Sequence, residues 1–141
     1  MPLAQKGIAA FSDQMPKVIP PTAHAIADYA IAGGFVFMAA LFWKRNRRAA
    51  VGSLICAGGQ AANALLTDSA GGVTDVVSYR THAKIDVGLA AVAGAMPNFL
   101  EFSSTPESKF FQIMGLAITA VGSLTAFRPR KPWDAVLRRS A

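Results

Sequence analysis

The chain is poor in charge, in cysteine and in histidine, and each scarcity closes off a class of protein. Lys, Arg, Asp and Glu make up only 16% of its 141 residues, against about 25% in a typical soluble domain. With 52% apolar residues beside so little charge, the composition suits a bilayer better than water. A single cysteine, Cys56, excludes an internal disulfide and leaves no Cys-x-x-Cys-His for covalent haem attachment. Residues 1–23 contain no continuous apolar core and carry Asp13, Pro16, Pro20 and Pro21, so no secretory signal peptide is read there. The first spanning helix is expected to act as its own insertion signal. Also missing are a nucleophile on a strained glycine elbow, a phosphate-cradling glycine loop and a catalytic carboxylate pair in a soluble cleft. No enzyme is expected. The net charge of +6 resides largely in two short clusters, one over Lys44–Arg48 and one over Arg128–Arg139. Both abut span ends, where basic side chains meet lipid head groups. They are too short to build the folded basic face that a nucleic-acid partner requires.

What the chain does have is four long apolar segments, roughly His24–Trp43, Ala49–Leu66, Ile85–Phe102 and Phe110–Phe127. Each approaches the ~20 residues needed to cross a ~30 Å hydrocarbon core. The second and fourth lack the polar stripe of a soluble bundle helix. The expected fold is all-α, a membrane four-helix bundle embedded in the lipid bilayer. Residues 1–23 form a lead in which Leu3, Ile8, Phe11 and Met15 can share the apolar face of an interfacial helix. Residues 24–67 make a first hairpin, 68–81 a connecting loop and 82–127 a second hairpin. Residues 128–141 form a basic tail whose Trp133, Val136 and Leu137 suit the membrane surface.

The two hairpins carry the same markers. His24-Ala25-Ile26-Ala27-Asp28 returns 58 residues later as His82-Ala83-Lys84-Ile85-Asp86, and these are the only two histidines. Thr67 follows His24 by 43 residues, and Thr125 follows His82 by the same 43. A fixed offset of this kind is the mark of an internal repeat. Two helices per unit return the chain to its starting side, so the repeats are tandem and parallel, with both termini on one face. That face holds more Lys and Arg than the other, which places the termini in the cytoplasm.

A Pro-flanked His-x-x-x-Asp at a helix start, followed by a two-helix unit ending near Leu-Thr and then the same unit again, resembles the SPW-repeat family of bacterial membrane proteins. The resemblance covers residues 19 to 127. Where that family carries Ser-Pro-Trp, this chain has Met38-Ala39-Ala40 and Met96-Pro97-Asn98, so only Pro97 matches. The resemblance implies a four-span protein of the bacterial inner membrane and no established chemistry.

Residues four apart stack on one helix face, so His24 lies over Asp28 and His82 over Asp86. Ionisable groups at this depth are costly and must face a partner or the bundle interior. The first reading is structural: each aspartate is held by hydrogen bonds within its own half, in an accessory subunit of a membrane complex or a self-assembling bundle. The second is cofactor binding. His24 and His82 would ligate a haem or chlorin, or His24, Asp28, His82 and Asp86 together would hold a transition metal. The third is proton or ion conduction through the two aspartates. Gly58, with Ala62 one turn on, is expected at a helix contact, where small residues let backbones approach. Asn63 and Asn98 are expected to hydrogen-bond between helices, and Pro97 to distort its own.

Overall fold

The computed structural model describes residues 14 and 16–126. The expected interfacial helix of the lead and the basic tail lie outside the described residues. Within them the protein is all-α, with four helices: α1 Pro21–Phe42, α2 Arg47–Leu65, α3 Tyr79–Phe99 and α4 Ser108–Leu124. No strand occurs among the described residues, only two isolated bridges.

Local chemistry explains where each helix begins and stops. Pro21 opens α1, at a position whose amide has no helical partner anyway. Asn46 caps α2 by accepting from Ala49 N at 3.1 Å, and Ser78 Oγ caps α3 by accepting from Thr81 N at 3.2 Å. The end of α3 is a Schellman turn. Glu101 takes the left-handed conformation at φ 57°, Phe102 N donates to Pro97 O at 2.8 Å, and Glu101 N donates to Asn98 O at 3.3 Å. Pro97 therefore lies in the last turn of α3, where its carbonyl closes the cap.

The helices form a closed ring: α1 packs on α2, α2 on α3, α3 on α4, and α4 back on α1. Thus α1 and α3 face each other diagonally. Phe35, Phe111 and Phe102 fill one part of the interior and are fully buried. Close helix approach occurs at Gly52, where an added Cβ would stand 2.8 Å from Met96 Cγ, and at Gly115, where it would stand 3.0 Å from Ala90 O. Gly58 is not such a point. It is exposed, with no atom within 4 Å of where its Cβ would be. Small residues occur on several sides of α2, and the sequence pattern could not say which side meets a neighbour. Asn98 is likewise exposed rather than placed between helices.

Hydropathy distinguishes the helices. α1, with 22 residues, is the one described helix both long and apolar enough to cross a membrane, and α4 is apolar but shorter. α2 carries Arg47, Arg48, Gln60 and Asn63, and α3 carries Arg80, His82, Lys84 and Asp86, which lower their averages.

The turns at one end of the bundle are cross-linked by polar groups. Asn46 Nδ2 donates to Thr105 Oγ1 at 3.2 Å and to Glu107 Oε2 at 3.4 Å. Arg48 pairs with Glu101 at 2.9 Å. The backbone amide of Glu107 itself, then the Thr105 hydroxyl and the Asn46 amide, hold the Glu107 carboxyl below the ordinary range against the opposing effect of burial; Arg45 adds a little.

At the other end, two parallel bridges join Ile19 to Thr125 and Thr67 to Val77. Ile19 N donates to Leu124 O at 3.0 Å, and Val77 N to Leu66 O at 2.9 Å. Each bridge clamps a threonine at the end of one helix beside the segment that enters another.

Candidate metal centre

Those clamps set up the site. Ile19 leads into α1, which carries His24; Val77 leads into α3, which carries His82. Each bridge therefore places a threonine against a histidine of the helix beside it. Thr125 Oγ1 lies 2.7 Å from His24 Nδ1, and Thr67 Oγ1 lies 2.8 Å from His82 Nδ1. Both hydroxyls already spend their proton on a backbone carbonyl, Thr125 on Val121 O at 2.6 Å and Thr67 on Asn63 O at 2.5 Å. They can only accept from the ring nitrogens. The hydrogen-bond network thus assigns the proton of each neutral imidazole to Nδ1 and leaves a lone pair on each Nε2.

The two Nε2 atoms converge on each other and on two carboxylate oxygens. His24 Nε2 is 3.0 Å from His82 Nε2, 3.4 Å from Asp28 Oδ2 and 3.2 Å from Asp86 Oδ2. His82 Nε2 is 3.1 Å from Asp28 Oδ2 and 3.1 Å from Asp86 Oδ2. All four residues are no more than 2% exposed. The outer carboxylate oxygens are held by amides of α2. Gln60 Nε2 donates to Asp28 Oδ1 at 3.1 Å, and Asn63 Nδ2 donates to Asp86 Oδ1 at 2.8 Å. Tyr79 stacks on His82, with ring centroids 5.8 Å apart at 21°.

All four residues singled out in the sequence are therefore brought together into one buried group able to hold a metal ion. Two corrections accompany this. The aspartates are not each held within their own half: Asp28 is, through Gln60, but Asp86 is held by Asn63 of the other hairpin, and both histidines are held by threonines of the opposite hairpin. Nor does the site admit a haem or chlorin between His24 and His82. Two axial imidazoles need Nε2 atoms about 4 Å apart, twice a metal–nitrogen bond of ~2.0 Å, with a flat macrocycle between them. The observed 3.0 Å, with two carboxylates beside it, leaves no such gap.

Sequence reasoning did not give Gln60, Thr67 or Thr125 a part in the site. The shared offset of the two threonines was visible, but their use depends on the bridges that turn them toward the histidines. Gln60 had no counterpart to flag it. Neither a protein-family model, nor a curated protein, nor a solved structure matches this chain.

The charge balance of the group decides what it asks for. Two carboxylates bring two negative charges, and two Nε2 lone pairs point at the same space. An unpaired buried charge costs several kcal/mol even after relaxation, on the order of 3–5 when a partner is removed. One proton shared between the imidazoles would leave a net negative charge inside the bundle, and a second would have to sit on a carboxylate. A single divalent cation would neutralise both carboxylates and use both lone pairs.

Proposed function

We propose that this chain is a small membrane protein whose two tandem hairpins are joined at their core by one bound divalent metal ion, and that the ion's role is structural. The observation that carries the reading is the inward aim of four ligand atoms from α1 and α3, each backed by a hydrogen bond on its far side. Metal-binding histidines are oriented in this way, by a partner on the other ring nitrogen. Because α1 and α3 are diagonal, a metal there ties the two hairpins together in a manner that apolar packing alone does not specify. A core neutralised by two protons instead would need one of them on a carboxylate, because the 3.0 Å between the two Nε2 atoms has room for a single hydrogen bond.

The bilayer reading rests on the outer surface. Large apolar side chains are exposed on all four helices, among them Phe37 of α1 at 64%, Leu54 of α2 at 45%, Val87 of α3 at 53% and Leu116 of α4 at 71%. Arg47 at the end of this belt lies over the Trp43 ring, 5.1 Å from its centroid, a pairing suited to the head-group region. A bacterial inner-membrane location, with both termini cytoplasmic, follows from this reading and the positive-inside rule. The tandem repeat and the SPW-repeat likeness belong to the same proposal, as does a role as an accessory subunit or self-assembling bundle rather than an enzyme. The four residues of the centre are at most 2% exposed, which supports a structural role over turnover of a substrate.

The test is elemental analysis of the full-length protein purified from membranes in mild detergent. One divalent transition metal per chain is expected in the native protein, and less than a tenth of that in His24→Ala and in Asp86→Asn. Metal-free native protein of unchanged thermal stability would remove the reading.

A further inference from the structure

Resting on that reading, we infer that the centre is a closed, tetrahedral site for a zinc-like ion, with both aspartates held to one oxygen each by Gln60 and Asn63. The shape follows from the separations among the ligand atoms. For bonds of ~2.0 Å, the edges of a tetrahedron are about 3.3 Å, whereas the diagonals of a square plane are about 4.0 Å. The separations from His24 Nε2 are 3.0, 3.2 and 3.4 Å, and those from His82 Nε2 to the carboxylates are both 3.1 Å. Any square would make each atom one end of a diagonal, and neither histidine nitrogen has a partner that distant among the atoms it faces. The tetragonal preference of copper(II) is thus unmet.

An octahedral ion could fit four such atoms only by adding two more ligands. The structure blocks both sources. The free oxygen of each aspartate is already engaged, Asp28 Oδ1 by Gln60 and Asp86 Oδ1 by Asn63, so neither carboxylate is free to chelate. Bulk water does not reach the ligands, since all four residues are at most 2% exposed. Magnesium, calcium and manganese, which seek six or more largely oxygen ligands, are disfavoured on the same grounds. Zinc accepts four nitrogen and oxygen ligands without electronic penalty, and closed four-coordinate sites are its structural form.

Cobalt(II) reports coordination number directly, because tetrahedral cobalt absorbs intensely in the visible and octahedral cobalt only feebly. The full-length protein is produced in cobalt-supplemented, zinc-depleted medium, so the fold never has to survive metal stripping. The expected result is an intense visible band that one equivalent of zinc abolishes. Gln60→Met keeps the side-chain length and removes the donor on Asp28 Oδ1. It should retain cobalt yet weaken and shift the band as Asp28 chelates. Bound cobalt with only feeble bands would overturn the tetrahedral assignment while metal binding stands. A band unchanged by Gln60→Met would overturn the part given to the amides. Protein that binds neither cobalt nor zinc would overturn both this inference and the function proposed above.

Discussion

The first hairpin, α1 with α2, and the second, α3 with α4, supply the same side chains to the centre and different ones to its surroundings. Each gives a histidine, an aspartate four residues on, and a threonine whose hydroxyl donates to a carbonyl four residues back. Even the bridges correspond, since Ile19 and Val77 stand at the same 58-residue offset as Thr67 and Thr125. The amide donors do not. Both come from α2, as Gln60 and Asn63, and the matching positions of α4 are Ile118 and Val121. Phe35 meets Phe111 at 6.0 Å between ring centroids, whereas the matching positions, Ala93 and Ser53, are small. All four are fully buried. The two hairpins agree where atoms face the shared centre. Elsewhere the halves divide the work: one brings polar support, and a large residue on one side is answered by a small one on the other.

The largest expected effect comes from the two histidines. His24→Ala and His82→Ala should each abolish metal binding and destabilise the bundle by about 3–5 kcal/mol, the cost of breaking a buried charged group. Metal content and detergent melting curves measure both. A large loss from one histidine and none from the other would break the equivalence of the halves.

Next come the threonines. Thr67→Val and Thr125→Val keep the shape and remove the hydroxyl facing each Nδ1, so each should cost about 1–3 kcal/mol, less at Thr67, where Asn63 O lies 3.4 Å from His82 Nδ1. Losses in that order, read as shifts in melting temperature, would sharpen the comparison. The first half also carries a constraint of its own. A Cβ at Gly72 would fall 1.7 Å from Thr67 O, so Gly72→Ala should disturb the loop that backs His82 and lower the melting temperature by more than a typical surface change does.

A smaller effect belongs to the opposite end of the bundle, where Asn46 of the first hairpin reaches Glu107 of the second. Because the Glu107 carboxyl titrates below its unfolded value of about 4.3, the ionised form stabilises the fold above that pH. That contribution is lost as pH falls through the lower folded value. The acid limb of a stability–pH curve should therefore flatten in Glu107→Gln, and an unchanged limb would remove Glu107 from that linkage. The smallest effect is expected at Gly58→Leu, which meets open space and should leave melting within about 0.5 kcal/mol of the parent.

The four clustered residues were legible in the sequence because a His-x-x-x-Asp spacing puts both groups on one helix face wherever that helix packs. The four helices were legible from apolar length, but their ends were not. α3 begins at Tyr79 rather than near Ile85, because the Ser78 cap starts the helix while charges at Arg80 and Lys84 only lower its hydropathy. The case against a tetrapyrrole rests on the 3.0 Å between two nitrogens that lie 58 residues apart, a distance no local pattern encodes. Gly58 was misplaced and Gln60 left without a role for one reason: which side of α2 faces the centre is fixed by its partners in the ring.

The most direct test of the central claim is a crystal structure with anomalous diffraction recorded on both sides of the zinc absorption edge. The account predicts one strong peak among His24 Nε2, His82 Nε2, Asp28 Oδ2 and Asp86 Oδ2, at about 2.0 Å from each. The same four side chains in the same arrangement, with no anomalous peak between them at any metal edge, would contradict it.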